Sequence, residues 1–383
     1  MSPPVTEPLS ILHIADLHLD RAFVGLSLHD AGARRRELRD ALQRCLTLAA
    51  ERNVQAITIG GDMWEDEHVT PDTCRWVADQ LAAAGVPVVL IAGNHDPLRV
   101  GGPYQRVEWP ENVTVLPPGP ELHRHDIGKL SIWGMSWGVV PLTAEALHGF
   151  RVPQDGRVHI LLLHGTVSVA AFDDAAHCRF TAQAVRDAGF TLCLAGHLHA
   201  GGVREQIIVY PGSPEPLAWD ETGRHTVALV HLAVDAEPQV ELIDVNQRRC
   251  AQVNVDCEDA ASSADVARAL QHAVDDAAGE TGREGLCLRA VLSGRVQPGC
   301  QIDPEDLAAA HGDLAMLDIR NETQHSFDLE MLARQSTALG TFVRDLQARI
   351  ADEDIEEATR RRLELALDLG LRAMHGDELA NAR

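Results

Sequence analysis

At 383 residues the chain is long enough for two or three domains and a sizeable core. Its composition, 45% hydrophobic and 23% charged, is that of an ordinary globular protein, and 57 acidic against 33 basic residues leave a net charge of −24. That balance argues against a general nucleic-acid coat, yet leaves nucleic acid open as a substrate wherever bound metals or a local arginine patch reverse the sign.

After a Pro-rich leader, Leu9 to Ala15 reads as a strand ending in Asp16-Leu17-His18, whose alternation puts both polar side chains on one side. The following Arg21 to Asn53 stretch contains an amphipathic helix, with Leu38, Leu42, Cys45, Leu46 and Ala49 at helical spacing. Arg34, Arg35, Arg36 and Arg39 at its start read as a solvated face, with phosphate contact as the alternative. Val54 to Ile59 is a second strand ending in Gly60-Gly61-Asp62, and Thr73 to Ala84 a helix. Val88 to Ile91 is a third strand ending in Gly93-Asn94-His95-Asp96. This β-α-β-α-β alternation argues for an α/β sandwich.

Leu98 to Pro120 is loop-rich. Leu130 to Met135 is a strand, with Trp133 and Trp137 as core or rim fillers, and Val158 to Leu163 ends in His164-Gly165. A helix over Thr181 to Ala188 precedes the strand Thr191 to Ala195, which ends in Gly196-His197-Leu198-His199. Ile207 to Tyr210 runs into Pro211-Gly212-Ser213-Pro214, and strands near Thr226 to Leu232 and Gln239 to Val245 close a first domain, residues 1–245. Residues 246–325 read as a small α/β capping domain without ligand residues, and 326–383 as a C-terminal helical pair suited to packing or partner docking.

The eight cysteines are scattered without a CxxC. The N-terminus has no basic region leading into an apolar one, and no window approaches about 18 apolar residues. Reduced thiols, a cytoplasmic location and no membrane span are therefore expected.

The strand ends together supply Asp16, His18, Asp62, Asn94, His164, His197 and His199. Oxygen and nitrogen donors in that number, without a thiolate, are too many for one catalytic ion and suit two. Carboxylate with imidazole fits Mn²⁺, Fe²⁺ or Zn²⁺ and is too nitrogen-rich for Mg²⁺ or Ca²⁺. Two such ions serve displacement at phosphorus, so phosphoester hydrolysis is the expected reaction. Other histidines, including His13, His29, His68, His123, His125, His159 and His177, read as packing or surface residues.

In this order, DxH, GD, GNHD, HG and GHLH resemble the motifs of the calcineurin-like metallophosphoesterases. The long segment before GGD, YPGSPEP after GHLH, the cap and the helical tail resemble the Mre11/SbcD group of DNA repair exonucleases, YhaO-like members above all. The resemblance implies a four-layer α-β-β-α sandwich. It also implies one ion on Asp16, His18, Asp62 and His199, and a second on Asp62, Asn94, His164 and His197, with Asp62 shared. Water activated by the ions would be the nucleophile, His95 the group that touches the scissile phosphate and protonates the leaving oxygen, and Asp96 the carboxylate that orients His95. Archaeal and eukaryotic Mre11 proteins commonly place a histidine three residues after the GD aspartate. Glu65 stands here, so their handling of duplex DNA is not carried over.

The leading expectation is a Mn²⁺-dependent DNA nuclease, an exonuclease with endonuclease action as a variant, working with an SbcC/Rad50-like ATPase partner on the helical tail. A homodimer is compatible with it. A phosphoesterase for a small nucleotide or phosphomonoester is the second reading, and a scaffold subunit with a structural metal site the third.

Overall fold

Short runs of β-branched and aliphatic residues, each stopped by glycine or a polar turn, build the framework. A computed structural model describes residues 9–140, 143–168, 178–233, 236–279, 282–297, 300–352 and 355–375. The Pro-rich leader, His177 and the last residues of the tail lie outside these. The chain forms two compact units, Met1–Cys250 and Ala251–Arg383.

In chain order the first unit runs β1 (Leu9–Ile14), α1 (Leu28–Glu51), β2 (Ala56–Gly60), α2 (Pro71–Ala83), β3 (Val88–Ile91), α3 (Pro103–Arg106) and β4 (Val113–Val115). It continues through β5 (His123–Ile127), β6 (Leu130–Gly134), β7 (Val158–His164), α4 (Ala182–Ala188), β8 (Leu192–Gly196), β9 (Gly202–Arg204), β10 (Ile208–Tyr210), β11 (Thr226–Ala233) and β12 (Ala236–Asp244). The strands form two six-stranded sheets, in the orders β12-β11-β1-β2-β3-β4 and β5-β6-β7-β8-β10-β9. Strands β1 to β4 pair in parallel, as do β6, β7, β8 and β10, so each sheet drops its strand-end loops along one edge.

Alternation along the strands sorts their side chains into two cores. Leu12, Ile14, Ile57, Ile59, Val88 and Leu90 face Leu38, Leu42 and Cys45 of α1 and Val77 and Leu81 of α2. From the other face Ile11, Val89 and Ile91 join Ile160, Leu162 and Leu194 of the second sheet, and α4 adds Ala182, Val185 and Ala188 to that cluster. The result is the expected helix–sheet–sheet–helix sandwich. Ser27 caps α1 by accepting from Asp30 N–H, and Thr70 with Pro71 starts α2. The region expected to be loop-rich holds α3 and β4, a three-residue strand too short to announce itself by alternation.

The sequence suggests a boundary after residue 245, and the first unit extends to Cys250. The reason is polar: the backbone N–H groups of Gln247 and Arg248 donate to Glu215, and the Arg248 guanidinium pairs with Glu37.

The second unit takes β13 (Arg249–Asp256), which begins at the end of the first, then α5 (Ser263–Ala278), β14 (Leu286–Ser293), β15 (Arg295–Val296), α6 (Pro304–Ala309), β16 (Met316–Asn321) and β17 (Gln324–His325). A three-stranded sheet, β13-β14-β16, packs against Val266, Leu270 and Val274 of α5, whose start is fixed by a Ser262–Asp265 capping box. The tail folds as α7 (Leu329–Ala333), α8 (Ala338–Ile350) and α9 (Glu357–His375). The first arm of the expected helical pair is thus two helices, because Thr337 caps a new one by accepting from Gly340 N–H. Leu332, Val343, Leu346, Leu367 and Leu371 form its core. Among the described residues no helix is long and apolar enough to cross a membrane.

Candidate metal centre

The loop after β1 runs alongside the loop after β2. Asp16, His18 and Leu19 donate their backbone N–H to the carbonyls of Gly61, Asp62 and Met63. Close approach at this junction demands glycine. Gly61 has φ +92, and a Cβ at Gly93 would fall inside contact distance of the Asp62 carboxylate. The polar residues themselves are bent hard: Asp16, His18, Asp62 and His197 all have positive φ, at 55°, 45°, 51° and 100°. Such conformations cost about 1 kcal/mol or more each and persist where surrounding contacts over-determine them.

These loops bring together two sets of donors. Ligand atoms of Asp16, His18 and His199 lie within 4.8 Å of one another, and so do those of Asp62, His164 and His197. Each set draws on both sheets. Asp62 reaches both, since its Oδ2 is 3.5 Å from His18 Nε2 and 3.3 Å from His164 Nε2. Asn94 Oδ1 joins the second set, 2.9 Å from His164 Nε2 and 3.2 Å from His197 Nδ1. All seven residues expected from the strand ends are therefore at one place.

The rings are oriented for cation binding. His164 Nδ1 donates to the Gly60 carbonyl at 2.8 Å, His18 Nδ1 to Glu65 Oε1 at 3.0 Å and His199 Nδ1 to Glu221 Oε1 at 2.7 Å, so in each case Nε2 is the atom left for a ligand. His18 Nε2 is buried and has no hydrogen-bond partner among the described residues. A buried nitrogen left unpaired in this way is costly, and a cation would satisfy it. Oxygen and imidazole donors with no thiolate fit divalent transition ions.

The electrostatics agree. Burial alone would raise Asp62, yet the charge and hydrogen bond of His164, with the charges of His18 and His95, hold its carboxyl far below the usual range. Burial would lower His164, but Asp62 and then Asp16 lift it to about 9. The acidic neighbours thus favour positive charge at this spot, whether on the His164 ring or on a cation. Burial pushes Asp16 upward, opposed by the charges of His164 and His199.

His95 sits at the rim with its side chain 44% exposed, and its backbone N–H donates to Asp62 Oδ1 at 2.9 Å. The expected support from Asp96 is corrected by the structure. Asp96 is fully buried and accepts from the N–H groups of Gly93, Asp62 and Met63 and from Tyr104 O–H at 2.7 Å, which occupies its carboxylate. It ties the loop after β2 to the loop after β3, and burial beside Asp62 pushes its pKa up to about 7. The carboxylate that holds His95 is Glu65, whose Oε2 is 3.0 Å from His95 Nδ1. This bond, first among its causes, raises the His95 pKa.

Glu65 and Glu221 are the functional residues missed from sequence. In the sequence Glu65 stands out only as a departure from the archaeal pattern. The signal for its role was its place three residues after Asp62. Glu221 gave none, because it lies beyond the motifs in a loop whose path depends on tertiary structure: its Oε2 accepts Leu217 N–H.

The arginine cluster of α1 divides: Arg36 lies on a solvated face, Arg35 and Arg39 are half-buried, and Arg34 is turned inward. Arg34 is buried against Glu37 and the Pro216 carbonyl, and Arg39 bonds Thr73 and lies over Trp76. His13 packs between the sheets on Thr58 and the Ala195 carbonyl, and His159 bonds Trp133 and Asp155. Trp137 Nε1 donates to the His164 carbonyl, so this buried core tryptophan also steadies a strand end.

Comparison with known proteins places this geometry. Residues 9–201, half of the chain, match the calcineurin-like phosphoesterase family. The chain is 29% identical over 301 residues to the uncharacterized metallophosphoesterase YhaO of Bacillus subtilis, covering 75% of this chain and 72% of that protein. It is 25% identical over 249 residues to the DNA double-strand break repair protein Mre11 of Haloferax volcanii, covering 62% of this chain and 51% of that one. A protein of the same name from Sulfurisphaera tokodaii is 26% identical over 235 residues, covering 55% of each. The chain therefore spans about half the length of the two Mre11 proteins it matches.

Proposed function

Because the chain belongs to the calcineurin-like phosphoesterase family, we propose that it is a two-metal phosphodiesterase that cuts DNA, working as an exonuclease with endonuclease action open to the same site. The observation that carries the reading is the pair of donor sets sharing Asp62, with an exposed His95 beside them. Asp16, His18, Asp62 and His199 would hold one ion, and Asp62, Asn94, His164 and His197 the other. Ions there supply Lewis acidity toward a phosphate oxygen and lower the pKa of water at neutral pH. Manganese is the ion we propose first, on the mixed carboxylate and imidazole donors.

The protein's own part is positioning and proton delivery. With Nδ1 bonded to Glu65, His95 presents Nε2 to the phosphate and gives its proton to the departing oxygen. Asp96 keeps the turn that carries Asn94 and His95 fixed against the loop of Asp62. DNA is favoured over a small ester by the likeness to two proteins named for double-strand break repair. We extend the proposal to an ATPase partner of the SbcC/Rad50 type on α7 to α9.

The test is cleavage of labelled linear DNA with Mn²⁺. Nucleotide release that disappears in His95→Asn, with two ions still bound, supports the reading. Inactivity on every DNA together with turnover of cyclic nucleotides replaces it with a small-nucleotide phosphoesterase.

A further inference from the structure

Two guanidinium groups stand beside His95 on consecutive acidic residues. Arg21, in the loop after β1, places Nη1 2.9 Å from Glu65 Oε1, on the same carboxylate that holds His95. Arg99, in the loop after β3, bonds Asp66 through Nε at 2.8 Å and Nη2 at 2.6 Å, and the Asp66 backbone N–H donates to the His95 carbonyl. Their side chains are 30% and 42% exposed, whereas Arg34 of the α1 cluster is buried in ion pairs. Glu65 already has His18 and His95 as partners, so Arg21 is not needed to satisfy it. Neither arginine bonds a member of the two donor sets through its side chain; that of Arg21 reaches them only by way of Glu65.

We infer that Arg21 and Arg99 form the anion subsites that grip phosphates flanking the scissile one, making the site selective for a polynucleotide over a simple phosphate ester. The inference rests on the phosphodiesterase reading above and names what that site prefers. A lone ester fills only the metal positions, and further cations beside it are useful only to a substrate with more phosphates. In a chain of net charge −24 such a substrate needs local positive charge to approach. Guanidinium is suited to it, because each group keeps further N–H donors in a fork that matches phosphate oxygens.

The experiment compares wild type, Arg21→Gln, Arg99→Gln and the double variant on bis(p-nitrophenyl) phosphate and on a single-stranded oligonucleotide of roughly ten nucleotides. The ratio of kcat/KM for oligonucleotide to that for ester should fall about tenfold for each arginine. In parallel, anisotropy of the labelled oligonucleotide on metal-free full-length protein should show a salt slope smaller by about 0.7 for each change, and Arg→Lys at both positions should keep that slope. Melting midpoints matched to wild type keep a folding defect from mimicking the result. An unchanged ratio and slope, or equal losses on both substrates, overturns the inference while wild-type DNA cleavage stands. Wild type that hydrolyses the ester and no oligonucleotide overturns the DNA reading and the inference with it.

Discussion

Oε2 of Glu65 lies 3.0 Å from Nδ1 of His95, while Oε1 of the same carboxylate lies 3.0 Å from Nδ1 of His18. One side chain therefore sets both the proton donor and a ligand ring. Replacing Glu65 by Gln should reduce kcat by roughly 10- to 100-fold. His95 must be protonated to act as an acid, and Glu65 raises its pKa, so the alkaline fall in rate should move to lower pH in the variant. A pH–rate profile checks this, and an alkaline limb in the same place as wild type would separate Glu65 from His95.

Asp96 should prove structural. An asparagine there directs amide hydrogens at the N–H groups of Gly93, Asp62 or Met63, so Asp96→Asn should cost about 2–4 kcal/mol. Tyr104→Phe removes a single donor and should cost about 1 kcal/mol. Urea unfolding of the two variants decides it: equal losses would mean that the backbone bonds are not what Asp96 contributes.

Metal binding should release protons. His164 is lifted to about 9 in the metal-free site and must give up its Nε2 proton to act as a ligand. Affinity for Mn²⁺ should therefore rise with pH up to that value, about tenfold per unit while one proton is displaced. Calorimetry in buffers of different ionisation heat measures the proton count, and a count of zero near neutrality would mean that His164 stays off the metal.

His13 sets a pH dependence of stability away from the chemistry. Burial, against weaker help from the Ala195 and Thr58 contacts, lowers its pKa from 6.5 to about 4. The unfolded chain then takes up a proton below 6.5 that the folded chain refuses until about 4, so this contribution disappears as pH falls through that window. At about pH 5 the loss is on the order of 2 kcal/mol. His13→Gln, which can still bond Thr58 and Ala195, should show a smaller drop in unfolding free energy between about pH 7.5 and pH 5. A drop equal to wild type would assign the acid sensitivity elsewhere.

The framework was legible because it is written in short-range pattern. Val88 to Ile91 is bounded in the structure as its β-branched run suggests, and β1, β2, β7 and β8 each end at the expected polar loop. Which residues gather followed from strand ends sharing an edge. How they are held did not follow, because it depends on loop paths. Asp96 is next to His95 in sequence, yet the turn points it into the core toward Tyr104, and Glu65 arrives from another loop. The same holds for β4, which exists because β3 offers it a parallel edge rather than because of its own three residues.

Each donor set takes members from both sheets: Asp16 and His18 meet His199, and Asp62 meets His164 and His197. An ion bridging Asp16 and His199 would close a loop on the order of 180 residues, and in chain-entropy terms a cross-link gains most when the loop is long. It would act as a removable staple between two halves that the covalent chain joins directly only where β4 passes to β5 and β10 returns to β11. Neither sheet alone can assemble either set, so high-affinity binding comes only after the halves have docked, and occupancy reports that the sandwich is complete.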